Sequence, residues 1–177
     1  MNASHIRYRS RQFWSALGAT RLTASDLSPA RAVLTDKQMA IFTRLQACEQ
    51  IHGLRVLQTL QAQGESHPDL MTAALLHDVG KCRLPLRLWE RVAIVLGRRF
   101  FPERVKHWGS ATPSGWRRPF VVAAWHPTWG AEMAREAGAS PLAVYLIREH
   151  QNQLPAAVPD SLEVHLLSLL QQADNQN

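Results

Sequence analysis

The stretch AALLHDVGK, residues 73–81, places an adjacent histidine and aspartate, His77 and Asp78, at the end of an apolar run. The apolar run predicts burial, and an ionised carboxylate is costly to bury without a partner. A divalent metal would supply that partner and would also explain the neighbouring imidazole as a ligand. A capping arrangement at the end of a helix is the alternative interpretation of the same pair.

Apolar residues recur at intervals of three and four over most of the chain, and alternating strand patterns are absent, so we predict an all-α fold. Helices are expected over 11–18, 24–33, 36–63, from Pro68 to the His-Asp pair, and over 85–106, 119–125, 128–137, 140–150 and 161–174. Gly64 is expected to end the 36–63 helix, and Gly80 the helix of the His-Asp pair. Pro127 is expected to interrupt a later helix, and residues 108–118 to form a loop.

The composition indicates one folded domain, with 177 residues, 46% of them apolar, and a net charge of +6. No apolar run approaches the roughly 20 residues of a membrane-spanning helix. The N-terminus lacks the apolar stretch of a secretory signal. Two cysteines are too few for a disulfide framework, so a cytoplasmic location is the simplest expectation. The positive charge favours anionic partners such as nucleotides, nucleic acid or an acidic lipid surface.

Four residues outside the His-Asp pair are candidate metal ligands. His52 lies in the middle of a predicted helix that otherwise points apolar residues inward, and His126 precedes Pro127 at a predicted helix junction. His150 and Asp174 each lie near the end of a predicted helix. Each residue taken singly is more often an ordinary core or surface residue. As a set they offer the imidazoles and carboxylates that divalent metals bind.

The order H…HD…D resembles the HD-domain metal-dependent phosphohydrolase superfamily. Three segments carry the resemblance, EQIHGLRVL (49–57), AALLHDVGK (73–81) and LLQQAD (169–174). The similarity extends over about three-quarters of the chain. It implies a single HD-domain helical bundle whose primary metal site consists of His52, His77, Asp78 and Asp174.

Two further segments are similar to the HD-GYP branch, AWHPTWGAEMAREAG (124–138) and IREHQNQLP (147–155). This similarity implies that His126 and His150 hold a second metal ion. Gln151 stands where the branch has the second histidine of a pair, and the GYP element is missing. The chain is therefore closer to small bacterial HDIG or HD-GYP-related proteins that lack this element.

The resemblance implies a phosphohydrolase or phosphodiesterase that acts on a nucleotide or another phosphorylated small molecule. Its cofactor would be one or two divalent transition metal ions, Fe, Mn, Ni or Zn, which activate a water. Asp78 would bridge the metals and orient the water. Lys81 would contact the substrate phosphate, or would be a surface lysine that favours a helix C-terminus.

Two other functions stay open at this stage. A degenerate HD domain without catalysis would serve as a signalling or interaction module, which the missing GYP element and Gln151 favour. Nucleic-acid binding is supported by charge alone. The sequence gives no indication of the oligomeric state.

We divide the chain into an N-terminal helical extension, residues 1–35, and an HD domain, residues 36–177. Within that domain, residues 83–118 are an insert between the HD helix and the next core helix, with three of the six tryptophans and many arginines. Three interpretations of the insert are open: a helical hairpin packed on the core, a lid or anion-binding wall over the site, or a peripheral membrane-surface element.

Overall fold

The computed structural model describes residues 21–154 and 161–177, and in these ranges all regular structure is helical. The helices are α1 (Ser28–Val33), α2 (Asp36–Phe42), α3 (Ala47–Ala62), α4 (Pro68–Leu76), α5 (Leu88–Phe100), α6 (Pro102–Gly109), α7 (Arg118–Glu136), α8 (Pro141–Glu149) and α9 (Leu162–Gln176). Short 3-10 turns cover Val79–Arg83 and Gly115–Arg117. The all-α prediction is confirmed. The helix predicted over 11–18 lies outside the described residues, and the domain boundary at residue 35 stays a prediction.

Helix α4 is the centre of the bundle. All of its residues from Leu70 to Leu76 are buried, and it packs against α3, α8 and α9. A helix that is apolar on every side is stable only when it is surrounded by other elements. The His-Asp pair follows directly at the C-terminal end of this helix, so both side chains are placed in the interior of the domain.

Several predicted boundaries differ from the observed ones. The 36–63 segment is two helices, α2 and α3, and the second ends before Gly64, which has a φ of +86° as expected of a helix stop. Helix α4 ends at Leu76, so Gly80 does not terminate it but lies inside the following 3-10 turn. Helix α6 continues to Gly109, into the predicted 108–118 loop.

Pro127 does not interrupt its helix, contrary to the prediction, and α7 is continuous from Arg118 to Glu136. A proline inside a helix removes one backbone hydrogen bond and costs about 3 kcal/mol. Helix α7 packs against the 3-10 turn Val79–Arg83 and against α6 and α8. We attribute its continuity to these contacts, since Gly80 of the turn approaches the backbone of both His126 and Gly130, on either side of Pro127.

Residues 83–118 form a helical hairpin of α5 and α6 that packs against α7. Two ion pairs attach helix α5 to its neighbours, one to α3 and one to the first residue of α7. Arg91 Nη2 lies 2.6 Å from Glu49 Oε1, and Arg118 Nη1 lies 2.5 Å from Glu90 Oε1. Both glutamates are buried, so these pairs hold α5 in a defined orientation. In the described parts of the chain, no helix is long and apolar enough to cross a membrane.

Candidate metal centre

Six side chains from five parts of the bundle meet in its interior. His52 comes from α3, His77 and Asp78 from the end of α4, and the others from α7, α8 and α9. Their ligand-type atoms form two groups, and within each group the atoms lie within 4.8 Å of one another. The first group is His52, His77 and Asp174, and the second group is Asp78, His126 and His150.

The first group lies at the more accessible side of the cluster. His52 Nε2 is 2.8 Å from Asp174 Oδ1 and 3.2 Å from His77 Nε2. His77 Nε2 is 3.7 Å from the same Asp174 oxygen. Metal–ligand bonds of about 2.0–2.2 Å place neighbouring ligand atoms at separations of this size. The side chains of His52 and Asp174 are 24% and 27% exposed, so this group is partly open to solvent.

The three side chains of the second group are all buried. His126 Nε2 lies 3.2 Å from Asp78 Oδ1, and the His126 and His150 rings pack edge to face with centroids 5.3 Å apart. His150 Nε2 is buried and has no hydrogen-bond partner among the described residues. A buried nitrogen without a hydrogen-bond partner lowers the stability of the folded state by about 1–3 kcal/mol, so such an atom requires an explanation. Coordination of a metal ion by this nitrogen would supply one.

Three of the imidazoles have their tautomer determined by the backbone. In each ring, Nδ1 faces a carbonyl oxygen three or four residues earlier, at 2.7–3.0 Å. The pairs are His77 with Ala74, His126 with Val122, and His150 with Ile147. Because a carbonyl oxygen only accepts hydrogen bonds, Nδ1 carries the proton and Nε2 of the neutral ring keeps its lone pair. The donor set therefore fits a divalent metal.

Asp78 faces both groups. Its Oδ2 lies 3.7 Å from His77 Nε2, and its Oδ1 faces His126 in the second group. Lys81 Nζ lies 2.5 Å from Oδ2. Burial raises the pKa of the Asp78 carboxyl, but Lys81, followed by His77 and His126, outweighs burial and holds the pKa well below its usual value. Asp78 is therefore a carboxylate at neutral pH, with one oxygen for each group.

Asp174, His126 and His150 are also in the protonation states that a metal requires. Burial raises the pKa of Asp174, but the contact with His52 and the charge of His77 reverse this effect and lower the pKa below its usual value. Burial and the neighbouring His77 and His126 lower the pKa of His150 to about 3. Burial lowers the pKa of His126 as well.

Comparison with known protein families agrees with this arrangement. The family model for the HD domain matches residues 50–175, a range that contains all six cluster residues. The chain belongs to the HD domain family. Membership places it in a superfamily of metal-dependent phosphohydrolases. No curated protein and no solved structure matches the chain significantly.

Two glycines of this HD domain position the site, and sequence reasoning missed their role. A Cβ atom at Gly80 would lie 2.0 Å from the carbonyl oxygen of His126 and 2.6 Å from the backbone nitrogen of Gly130. The turn after the His-Asp pair and helix α7 therefore touch backbone to backbone. The available signal was a glycine in each of the two motifs, HDVGK and HPTWGAE.

Gln151 directly follows His150 and contacts another histidine of the second group. Its Nε2 lies 3.4 Å from His126 Nε2, and its Oε1 accepts a hydrogen bond from Arg98 at 3.1 Å. An amide of this kind binds transition metals less well than an imidazole. Gln151 thus contacts the edge of the second group without adding a strong ligand to it.

The metal-free HD domain is expected to lose stability as the pH falls below about 6.5. In the unfolded chain His150 takes up a proton near its ordinary pKa of 6.5, whereas the folded ring stays neutral until about pH 3. The free energy of unfolding should then decrease more steeply as the pH falls, and the slope from this residue alone should approach about 1.4 kcal/mol per pH unit near pH 5.

Urea unfolding in the presence of a chelator, between pH 7 and pH 5, measures this slope. His150→Gln should reduce the slope by that amount, and His165→Gln, on the exposed surface of α9, should leave it unchanged. Equal slopes in the wild type and in His150→Gln would contradict the neutral, buried state of this ring.

Lys81 is the counter-charge of Asp78 in this structure, and its contact with a substrate phosphate stays a prediction. We expect Lys81→Met to destabilise the metal-free protein by about 2 kcal/mol, below the usual cost of breaking a buried pair. The side chain of Lys81 is 20% exposed, which screens the pair. Metal should restore the stability, because it replaces the lost positive charge.

Chemical denaturation with and without metal tests this expectation, with Lys37→Met on the exposed face of α2 as the control. A loss of stability that metal does not restore would show that Lys81 has a purely structural role.

Proposed function

We propose that this HD domain is a metal-dependent phosphohydrolase or phosphodiesterase for a nucleotide or another phosphorylated small molecule. The observation that carries the proposal is the convergence of four imidazoles and two carboxylates on one site. In that site the buried Nε2 of His150 lacks any partner among the described residues. Family membership supports the class of reaction. The resemblance to HD-GYP-related proteins supports a site for two ions.

Each residue of the cluster has a proposed role. His52, His77 and Asp174 would hold one ion and His126 and His150 a second, with Asp78 shared between them. A histidine-rich set of this kind suits Fe, Mn, Ni or Zn better than Mg or Ca. When bound, such ions lower the pKa of water and withdraw charge from a phosphate.

The ionised Asp78 carboxylate would accept a hydrogen bond from the attacking water and orient it toward phosphorus. Lys81 would move from this carboxylate to the phosphate and stabilise the charge that develops on its oxygens.

A cleft beside the second group supports an anionic substrate. Its volume is about 550 Å³, and it is lined in part by Gln151, which contacts His126. Three cationic side chains, Arg98, Lys106 and Arg148, also line it. A phosphorylated molecule bound here would place its charge next to these cations.

The second candidate function is a metal-binding signalling or interaction module without catalysis. The contact between Gln151 and His126 favours this alternative, because the amide replaces a stronger ligand beside the second group. Such a module would bind metal but would not turn over phosphate esters.

The test is to purify the protein without added metal, reconstitute it with Fe, Mn, Ni or Zn, and measure metal per chain by plasma mass spectrometry. Hydrolysis of bis(p-nitrophenyl) phosphate, p-nitrophenyl phosphate and a panel of nucleotides is then measured before and after chelation. We expect about two ions per chain and hydrolysis that requires them.

His150→Ala should reduce the metal content to about one ion per chain, since it removes a ligand of the second group only. His165→Ala, which removes an exposed histidine from α9, is the matched control. Bound metal without any hydrolysis would favour the non-catalytic module. Absence of bound metal would contradict both functions.

A further inference from the structure

Helix α5 presents its large apolar side chains to solvent, the reverse of the usual arrangement in a surface helix. The exposed apolar residues are Leu88, Trp89, Val92, Val95, Leu96 and Phe100. At about 100° per residue they occupy one continuous side of the helix, which we name the α5 apolar face. Val95 and Phe100 are the most exposed of the six, at 63% and 64%.

The inward side of α5 explains why this face points outward. Glu90 is buried in its ion pair with Arg118, and Gly97 is buried against the ring of Phe120. A Cβ atom at Gly97 would lie only 2.6 Å from Phe120 Cε1, so this side of the helix fits closely against α7. Rotating α5 to bury the apolar face would break both contacts. The exposure of the face is therefore a property of the packed fold.

The same segment carries the positive charge of the chain. Residues 83–118 contain nine of the 20 lysines and arginines and two of the 14 acidic residues, a local net charge of +7. The rest of the chain has a net charge of −1. A basic surface and an exposed apolar surface thus coincide in one helical hairpin.

Cationic groups lie directly beside exposed aromatic rings in this hairpin. The guanidinium carbons of Arg99, Arg104 and Arg117 lie 5.9, 5.7 and 5.2 Å from ring centroids. The rings are those of Phe100, Phe101 and Trp116, which are all exposed. Aromatic rings flanked by cations are typical of protein surfaces that contact lipid headgroups.

We propose that residues 83–118 bind the surface of an anionic lipid bilayer, with the α5 apolar face inserted at the level of the headgroups. The apolar side chains would leave water, and the arginines would contact lipid phosphates. A second copy of the chain fits this face less well, because pairing two such faces would bring two segments of charge +7 together. The proposal does not depend on catalysis at the metal centre.

Sedimentation of the full-length protein with vesicles tests the proposal. One set of vesicles is phosphatidylcholine, and the other contains roughly 30% phosphatidylglycerol as the anionic lipid. We expect binding to the anionic vesicles only, a blue shift of tryptophan emission on binding, and weaker binding at high salt because exposed charges are screened.

Two double variants separate the apolar and ionic contributions. Val95→Glu with Leu96→Glu, and Arg99→Glu with Arg104→Glu, should each weaken binding by about tenfold or more. The controls are Leu162→Glu and Arg135→Glu, which change an exposed leucine and an exposed arginine outside the hairpin and should bind normally. Circular dichroism verifies that all variants are folded.

Three results would overturn the proposal. One is the absence of binding to anionic vesicles, and another is equal binding to neutral and anionic vesicles. The third is self-association of the wild-type protein in solution that the Val95→Glu, Leu96→Glu variant abolishes, together with no vesicle binding by the wild type or the variant. That result would assign the α5 apolar face to a contact between copies of the chain.

Discussion

Asp78→Asn is expected to abolish the proposed hydrolysis, with a loss in kcat of at least about 10³-fold, or about 4 kcal/mol of activation free energy. The substitution keeps the size of the side chain but removes the negative charge. It also replaces one of the two oxygens that face the two groups with an NH₂, which cannot bind a metal. Both ions should therefore bind more weakly.

Metal content per chain and hydrolysis of the aryl phosphodiester are measured on the same preparations. Glu132→Gln is the matched control, since its carboxylate pairs with Arg83 at 3.0 Å, both side chains are exposed, and Glu132 is not one of the six cluster residues. This control should keep both metal and activity. An Asp78→Asn protein that retains two ions and full activity would show that Asp78 is not shared between the groups.

Gly80→Ala is expected to destabilise the protein by about 3 kcal/mol or more. The added methyl group would lie 2.0 Å from the carbonyl oxygen of His126, and backbone atoms cannot rotate away as a side chain can. The turn after the His-Asp pair would have to separate from α7. Because the displaced backbone belongs to His126, we also expect weaker binding at the second metal position.

Urea unfolding of the metal-free protein measures the loss of stability, and metal titration measures the second effect. Gly64→Ala is the control, because Gly64 has a φ of +86° and nothing within 4 Å of a Cβ atom. Its cost should be about 1 kcal/mol, from backbone conformation alone. Similar losses in the two variants would contradict the importance of the close contact between Gly80 and α7.

These two variants address different parts of one arrangement. Asp78 supplies the charge shared by the two groups, and Gly80 allows the turn that carries Asp78 to approach the helix that carries His126. The contact between Asp78 and His126 therefore depends on the close backbone approach at Gly80 as well as on charge. A site of this kind depends on backbone contact between elements nearly 50 residues apart in the sequence.

The helical class and the candidate ligands could both be predicted from the amino-acid sequence. Helical class is a local property, because apolar spacing reports which face of each segment is buried. The candidates were recognisable as a set, because their order and flanking segments resemble the HD domain motifs, although each residue alone is more often an ordinary core or surface residue. The prediction that Gly64 ends a helix is confirmed, because a positive φ at a helix end is a local requirement that glycine meets.

The way in which these residues combine depends on packing between segments that are distant in the sequence. His52 and Asp174 are 122 positions apart, and no local pattern indicates that their atoms lie 2.8 Å from each other. Gly80 and Pro127 were misinterpreted because their local signals, a helix stop and a helix break, were overridden by packing between the 3-10 turn and α7. Likewise, the outward direction of the α5 apolar face follows from the contacts of Glu90 and Gly97 with distant residues. The local sequence determines which secondary structure each segment can form, whereas long-range packing determines which side chains come into contact.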